Sequence, residues 1–417
     1  PANQAPTVDA GPNQTVAAGA AVNLAGTATD PENGTLTFVW TQTGGTALVT
    51  LTGGDTLTPS FNAPNAADTL VFTLSVSDGV NSAVTDSVTI TVNSPDVSQV
   101  QQEFGDKTAA FMTRRMERTL RNDPRLYRLE HRGSQNTVVA AVSSSGSMTR
   151  ANLDFSLSRD IGSGTYFWTE GRYTFFDDKR NASAVDGDYG VLNMGVDYSI
   201  GNSTILGLMV SFDRISEEET AVSDISGKGW MVGPYFSTAL TDTLFLSGRV
   251  ALGQSSNDAS IVSLGTAYSG EFDTDRLLAI LTLTGQIDQP AYRVLPEVSL
   301  GYVREEQDDY VVTDGITQIG VTGQSMDYGQ ISLAAEFQFP FGPIADNSFI
   351  FARPAITGVF KESKAFSGQS SVTSSLEVGY EATPSSNLRH GVSVGYDGIG
   401  DGDFDAWSIR SFLEFRF

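Results

Sequence analysis

The 417-residue chain has no cysteine, only 2 histidines, and neither lysine nor arginine before Lys107. Without thiols there is no disulfide scaffold and no thiolate-ligated zinc. A segment that must cross a membrane unfolded also does best without disulfides. The longest apolar run, Leu277 to Leu283, falls far short of the roughly 20 residues of a membrane-spanning helix. A membrane-spanning strand escapes that exclusion, because only every second residue faces lipid. The start, Pro1-Ala2-Asn3-Gln4-Ala5-Pro6, has no apolar signal-peptide region and no initiator Met. It suggests a processed or trimmed part of a longer precursor. What is abundant is glycine, 42 residues, with 10% aromatics and only 18% charged residues. That balance suits many strands joined by turns and argues against disorder.

The net charge of −24 is unevenly spread. Before Lys107 stand Asp9, Asp30, Glu32, Asp55, Asp68, Asp78, Asp86 and Asp96 with no positive charge among them. Such a surface repels phosphate backbones, so nucleic acid is excluded as a partner.

Residues 1–94 alternate short β-type runs with turn clusters such as Gly11-Pro12-Asn13, Asp30-Pro31-Glu32-Asn33-Gly34 and Ser77-Asp78-Gly79, as a small antiparallel sandwich does. Candidate strands are 7–10, 21–24, 36–40, 70–76 and 84–92. Leu70, Phe72, Leu74 and Val76 share one face, and Trp40 sits where a sandwich expects its central aromatic. With Ala28-Thr29-Asp30-Pro31-Glu32-Asn33-Gly34, Phe38-Val39-Trp40-Thr41-Gln42 and Leu74-Ser75-Val76-Ser77-Asp78-Gly79, the segment resembles the PKD-like and REJ-like Ig modules of bacterial surface proteins. The resemblance implies a spacer or adhesive unit, with further copies upstream of Pro1 and an extracellular protein or glycan as ligand. Asp9, Asp30, Glu32 and Asp78 are candidate Ca²⁺ ligands, as hard oxygen donors near a domain edge. Each equally reads as a turn former closing on its own backbone. No other cofactor is expected.

Residues 95–136 read as a linker. Val100, Phe104, Met112, Met116 and Leu120 fall at near-helical spacing. Ser98 is a candidate cap, and Asn122-Asp123-Pro124 should end the helix. Positive charge is concentrated here, in Lys107, Arg114, Arg115, Arg118 and Arg121, then Arg125, Arg128 and Arg132. A basic amphipathic helix suits a membrane surface, a solvated linker, or a barrel lumen lined with carboxylates.

From residue 137 to 417 the texture is paired alternation. In Ile331-Ser332-Leu333-Ala334-Ala335-Glu336-Phe337-Gln338-Phe339 every odd residue is apolar. Twelve strands follow Tyr166, near 165–176, 188–199, 203–214, 223–239, 243–255, 269–286, 291–305, 323–338, 348–361, 370–382, 387–397 and 405–417. Short connections such as Gly201-Asn202 alternate with long polar ones, 177–187, 215–222, 256–268, 306–322, 362–369 and 398–404. Short turns at one end and long loops at the other are the pattern of an outer-membrane barrel. Residues 137–144 and 150–159 form an extra hairpin, which raises the count to 14 if it joins the wall. In the last strand Trp407, Ile409, Leu413, Phe415 and Phe417 share one face.

Trp168-Thr169-Glu170-Gly171, Gly195-Val196-Asp197-Tyr198, Leu206-Gly207-Leu208, Gly233-Pro234-Tyr235, Phe272-Asp273-Thr274 and the final Phe417 together resemble the autotransporter (type V secretion) β-domain. The resemblance implies an antiparallel transmembrane barrel in the outer membrane of a Gram-negative bacterium. Outer-membrane lipids and the barrel assembly machinery are then the partners, with Trp407, Ile409, Leu413, Phe415 and Phe417 as the assembly signal. It also favours residues 99–136 as a pore helix. Alternation assigns Glu170, Arg172, Arg249, Glu297, Glu336, Arg353, Glu377, Arg389, Arg410, Glu414 and Arg416 to the lumen. The whole chain is thus read as all-β: an Ig-like sandwich, a linker helix and a barrel.

Catalysis finds little support. His131 lies in the linker and His390 on the apolar face, and neither stands beside an acid and a nucleophile as a hydrolase triad requires. Zinc and phosphate-loop motifs are absent from the sequence. Some autotransporters cleave themselves at an Asn-Asn step, whereas this helix has Asn122-Asp123, so the N-terminal domain is expected to stay attached. Two functions remain: a translocator or anchor displaying the Ig-like domain for adhesion, or a channel or structural barrel with that domain in the periplasm.

Overall fold

A computed structural model describes the chain apart from residues 1–2, 94–96, 125–136, 146–150, 179–183, 264, 342–347, 364–368, 400–405 and 417. The expectations for His131, Arg125, Arg128, Arg132 and Phe417, and parts of the long connections, lie outside the described residues. The chain divides into two compact units, Pro1–Gln102 with Val262–Tyr268, and Glu103–Ile261 with Ser269–Phe417.

The first unit holds β1 (Thr7–Asp9), β2 (Gln14–Val16), β3 (Ala21–Asn23), β4 (Thr27–Thr29), β5 (Thr37–Gly44), β6 (Ser60–Asn62), β7 (Asp68–Ser77) and β8 (Val84–Val92). A four-stranded sheet runs β2-β8-β7-β5, and β1-β4 and β3-β6 pair separately. Leu70, Phe72, Leu74 and Val76 are fully buried, and Trp40 is 6% exposed. The Trp40 indole N–H donates to Thr56 O at 3.0 Å, which satisfies its polar edge inside the core. Three-residue strands such as β2 and β4 are too short to show a period, and sequence patterning does not find them.

Helix α1 spans Val97–Arg121. It stops one residue before Asn122, as Pro124 requires. Ser98 lies in its first turn.

The second unit is a closed antiparallel barrel. Its strands are β9 (Thr137–Ser145), β10 (Ala151–Gly162), β11 (Thr165–Asp178), β12 (Val185–Ile200), β13 (Thr204–Glu219), β14 (Ser223–Thr241), β15 (Leu244–Ser263), β16 (Thr266–Gly285), the two-residue β17 (Ile287–Asp288), β18 (Arg293–Gln307), the small hairpin β19 (Tyr310–Thr313) and β20 (Gln318–Val321), β21 (Ser325–Pro340), β22 (Phe349–Ser363), β23 (Gln369–Ser385), β24 (Leu388–Ile399) and β25 (Ala406–Arg416). β9 pairs with both β10 and β25, so the 137–159 hairpin joins the wall. Among the described residues, setting β17, β19 and β20 aside, fourteen strands make the ring, and twelve is too few.

Two connections expected as long loops are strand instead. β13 continues to Glu219, and β15 and β16 leave only a short turn where 256–268 was expected open. Outward residues there are polar because water faces them, which looks like a loop in sequence. Inward ones, Ile215, Glu217, Ala259 and Ile261, stay buried at period two.

The barrel is inverted relative to a soluble sheet. On β13 the outward Leu206, Leu208 and Phe212 are 49%, 58% and 46% exposed, while the inward Ser211, Asp213 and Glu217 are buried. Apolar residues face outward around the wall, among them Val250, Leu252, Leu300, Leu333, Ile356, Val378, Val394 and Ile409. Only a non-aqueous surrounding makes that arrangement stable.

Candidate functional site

The site is the lumen, which α1 fills from Glu103 onward. Phe104, Phe111, Met112 and Met116 have no exposed surface. The basic face of the helix turns to inward carboxylates on β13 and β18. Lys107 pairs with Glu219 at the far end of β13. Arg114 forks onto Glu217, with Nε 2.9 Å from both carboxylate oxygens and Nη2 at 2.5 Å. Such bidentate geometry is the strongest form of this contact.

Arg115 is completely buried. Its guanidinium pairs with Glu305 and donates to Asn257 Oδ1 at 2.6 Å. Glu305 also accepts from the Thr274 hydroxyl at 2.8 Å and lies 3.5 Å from Arg276. Arg276 pairs with Asp213 at 2.5 Å and donates to the Thr119 hydroxyl at 3.2 Å. Two arginines and two carboxylates therefore form one buried, charge-balanced knot that includes the helix. A buried charge is tolerated only when paired and hydrogen-bonded in this way. The wall makes room for it: a Cβ on Gly227 would strike Asn257 Oδ1 and Arg115, and one on Gly301 would lie 2.9 Å from Leu120 Cδ2.

The helix ends are held as well. Near its start the hairpin side of the wall contributes Gln324, whose amide donates to Gly105 O at 2.8 Å, and Tyr310, whose ring lies 6.5 Å from Phe104. At its end Arg118 stacks 3.4 Å from the centre of the Phe176 ring. Asn122 accepts from Arg172 at 2.8 Å, and Asp123 pairs with Arg249.

A second set of lumenal pairs lies toward the short-turn end. Arg353 meets Glu297 at 3.0 Å, and Arg389 pairs with Glu381 and, at 2.9 Å, with Glu414. Ser393 donates to Glu377 at 2.6 Å, and Gln338 donates to Glu336 at 2.7 Å. Of the residues singled out in the sequence, Lys107 and Arg114 are thus tied to β13, Arg115 to β18, Arg172 and Arg249 to the end of the helix, and Arg353 with Glu297 and Arg389 with Glu414 to each other. Arg121 pairs with Glu117 one turn back along the helix, at 3.0 Å. Arg410 is exposed, and Trp407, Ile409, Leu413 and Phe415 form the outward face of β25. His390 stacks edge-on to the outward Tyr380, at 5.9 Å between rings.

Sequence reasoning missed Asp213, Glu217, Glu219, Arg276 and Glu305. Asp213 and Arg276 stand at inward parity on predicted strands, so the alternation rule could have found them. Glu217 and Glu219 were hidden in a supposed loop.

The four calcium candidates are not brought together. Asp9 accepts from Gly11 N at 2.8 Å, and Asp30 from Glu32 N at 2.9 Å and Gly34 N at 2.8 Å. Glu32 accepts from Gln4 N at 3.1 Å, and Asp78 from Val80 N at 2.9 Å and Asn81 N at 2.8 Å. Among the described residues no group of three or more acidic or histidine side chains is placed to hold a metal.

Residues 167–345 match the family described as Autotransporter beta-domain, and residues 10–92 match a family described as a PKD domain. No curated protein sequence matches the chain. Among solved structures, the translocator domain of the autotransporter NalP from Neisseria meningitidis aligns at 12% identity, covering 76% of this chain and 98% of that one, with a TM-score of 0.47. The β-domain of the Bordetella autotransporter BrkA aligns at 12% identity over 68% of this chain and 100% of that one, with a TM-score of 0.44. The Pseudomonas putida toluene transporter TodX gives 9% identity, 72% and 93% coverage, and a TM-score of 0.43. The chain carries an autotransporter β-domain behind a PKD-like domain, and its barrel belongs to the outer membrane of a Gram-negative bacterium.

Proposed function

We propose that this autotransporter barrel, an outer-membrane translocator and anchor, holds the PKD-like domain on the cell surface as a stalk or adhesive unit, with α1 as the plug left in the pore. The observation that carries this reading is the direction of the helix. Thr137, where β9 begins, pairs with Arg416 near the end of β25, so both ends of the wall lie at one rim. Lys107, in the N-terminal half of α1, lies at the other, paired with Glu219. A chain that enters the lumen at the first rim and leaves by the second delivers what precedes it to the far side.

A free channel with a periplasmic domain requires an open lumen, and the buried Arg115–Glu305–Arg276–Asp213 knot stands in its way. The adhesive ligand is an extracellular protein or glycan on this reading, and the terminal strand is the surface that assembly machinery would engage. The domain division is proposed as 1–94, 95–136 and 137–417. The test is protease shaving of intact cells with an epitope inside residues 10–92. Loss of the epitope from intact cells is expected. Its survival until the outer membrane is permeabilised would rule out surface display.

A further inference from the structure

The outward face of β13 and β14 changes chemistry rung by rung. In register stand Leu206 with Phe236, Leu208 with Pro234, Val210 with Val232, and Phe212 with Trp230. The next outward rung is Arg214 opposite Lys228, followed by Ser216 with Ser226 and Glu218 with Asp224. An aromatic rung above an apolar band marks the membrane–water boundary of a barrel. The first rung beyond it lies at the level of lipid headgroups.

Two like charges directly opposite on a sheet, with Cβ atoms about 5 Å apart, repel and destabilise the pair. Both side chains are exposed. Among the described residues, neither makes an ion pair. The strand pair β18 and β21 provides a control on the same barrel. Its outward ladder runs Val298 with Leu333, Leu300 with Ile331 and Tyr302 with Gly329, and the next rung is Arg304 opposite Asp327. There the cation has its counter-charge, at 3.6 Å. At β13–β14, among the described residues, no carboxylate lies within ion-pair distance of either cation, and the nearest acidic rung on the ladder is Glu218 with Asp224.

Two carboxylates of this part of the wall are turned to neutral donors instead. Asp188 accepts from the Tyr173 hydroxyl at 2.8 Å, and Asp275 from the Gln254 amide at 2.9 Å. Lys228 borders a shallow depression whose membrane-side edge is Trp230 and whose lining includes Gln254, Ser256 and the carboxylates of Asp273, Asp275 and Asp308. A flat ring beside amide, hydroxyl and carboxylate groups suits a sugar, whose hydroxyls donate to carboxylates and whose apolar face rests on an aromatic ring. An inorganic anion alone would leave that depression unused.

We propose that the Arg214–Lys228 rung binds the phosphate of a phosphorylated saccharide lipid headgroup in the outer leaflet, with the sugar seated in the adjoining depression. The phosphate supplies the counter-charge that this rung lacks, and the acyl chains run down the apolar rungs below Trp230. The inference rests on the outward face being the lipid-facing one.

The test uses the full chain in phosphatidylcholine nanodiscs doped with a bis-phosphorylated diglucosamine lipid, with co-purified lipid counted by native mass spectrometry. Barrel insertion is read separately from heat-dependent migration, so failed insertion is distinguished from lost binding. Arg214→Gln with Lys228→Gln should weaken glycolipid retention about tenfold, and Arg304→Gln should leave it unchanged. Lys228→Glu should abolish retention yet raise the thermal midpoint in glycolipid-free detergent, because the rung then carries opposite charges. The proposal is overturned if the double variant retains the lipid like the parent, or if Arg304→Gln costs as much. It is equally overturned if the dephosphorylated lipid binds as well, or if soluble glucosamine phosphate competes as strongly as the lipid.

Discussion

The two halves of this chain use one strand pattern to opposite ends. In β7 the alternate Leu70, Phe72, Leu74 and Val76 are sealed in the sandwich core, and the intervening Thr69, Thr73 and Ser75 meet water. In β13 the alternate Leu206, Leu208 and Phe212 lie outside, and Ser211, Asp213 and Glu217 are sealed within. Period two therefore identifies a strand without telling which face is the interior. The surrounding solvent decides that, and it also decides what stabilises the core. Apolar burial holds the sandwich, whereas the barrel's interior is held by charge pairs and by a helix whose Lys107, Arg114 and Arg115 join them.

The contrast can be broken at five places. Removing Glu305 should have the largest effect, because Arg115 and Arg276 then share one buried region with too little negative charge. Glu305→Ala should cost about 3–5 kcal/mol and free α1, read as a lower temperature for the shift in barrel migration and as new conductance in planar bilayers. In the sandwich, Leu74→Ala should cost about 3 kcal/mol through an apolar cavity, read by hydrogen exchange of β5, β7 and β8 with the barrel unaffected.

Outward substitutions should separate the two halves most cleanly. Leu208→Arg, on the lipid face, should cost about 2–3 kcal/mol, measured as unfolding in lipid bilayers. Val39→Arg, outward on β5, should change stability by no more than about 0.5 kcal/mol.

The smallest effect concerns acid. The backbone N–H of Val80 and the side chain of Asn81 hold the Asp78 carboxyl well below the usual carboxylate range. The N–H groups of Ala47 and Thr46 do the same, less strongly, for Asp68. A carboxyl with a depressed folded pKa adds stability above its unfolded value and loses it as pH falls toward the folded one. The turn at 78–81 should therefore become more protease-sensitive below about pH 4, and Asp78→Asn should flatten that dependence.

Much of this was legible in the residues. The helix followed from the spacing of Phe104, Met112, Met116 and Leu120, and its end from Pro124. Most wall strands followed from alternation, and the inward place of Arg249, Glu297 and Arg389 followed with them. Three things were not legible. Polar outward residues at 215–222 and 256–268 resembled loops because strands that rise past the lipid lose their apolar face. The hairpin at 137–159 has no sequence mark for whether it closes the ring, since closure depends on pairing with β25 far along the chain. The partners of Arg115 are Glu305 and Asn257, separated from it by long stretches of chain, and only the closed ring brings them to one height.

Helix α1 sits in the lumen with Lys107 at the rim opposite the ends of the wall. The chain has no cysteine of its own, so Lys107→Cys with Glu219→Cys can be joined in intact cells by a short bis-maleimide. A cross-linked species of altered migration is expected from the double variant and from neither single one. Full labelling of each single variant without any cross-link in the double would contradict this placement of the helix.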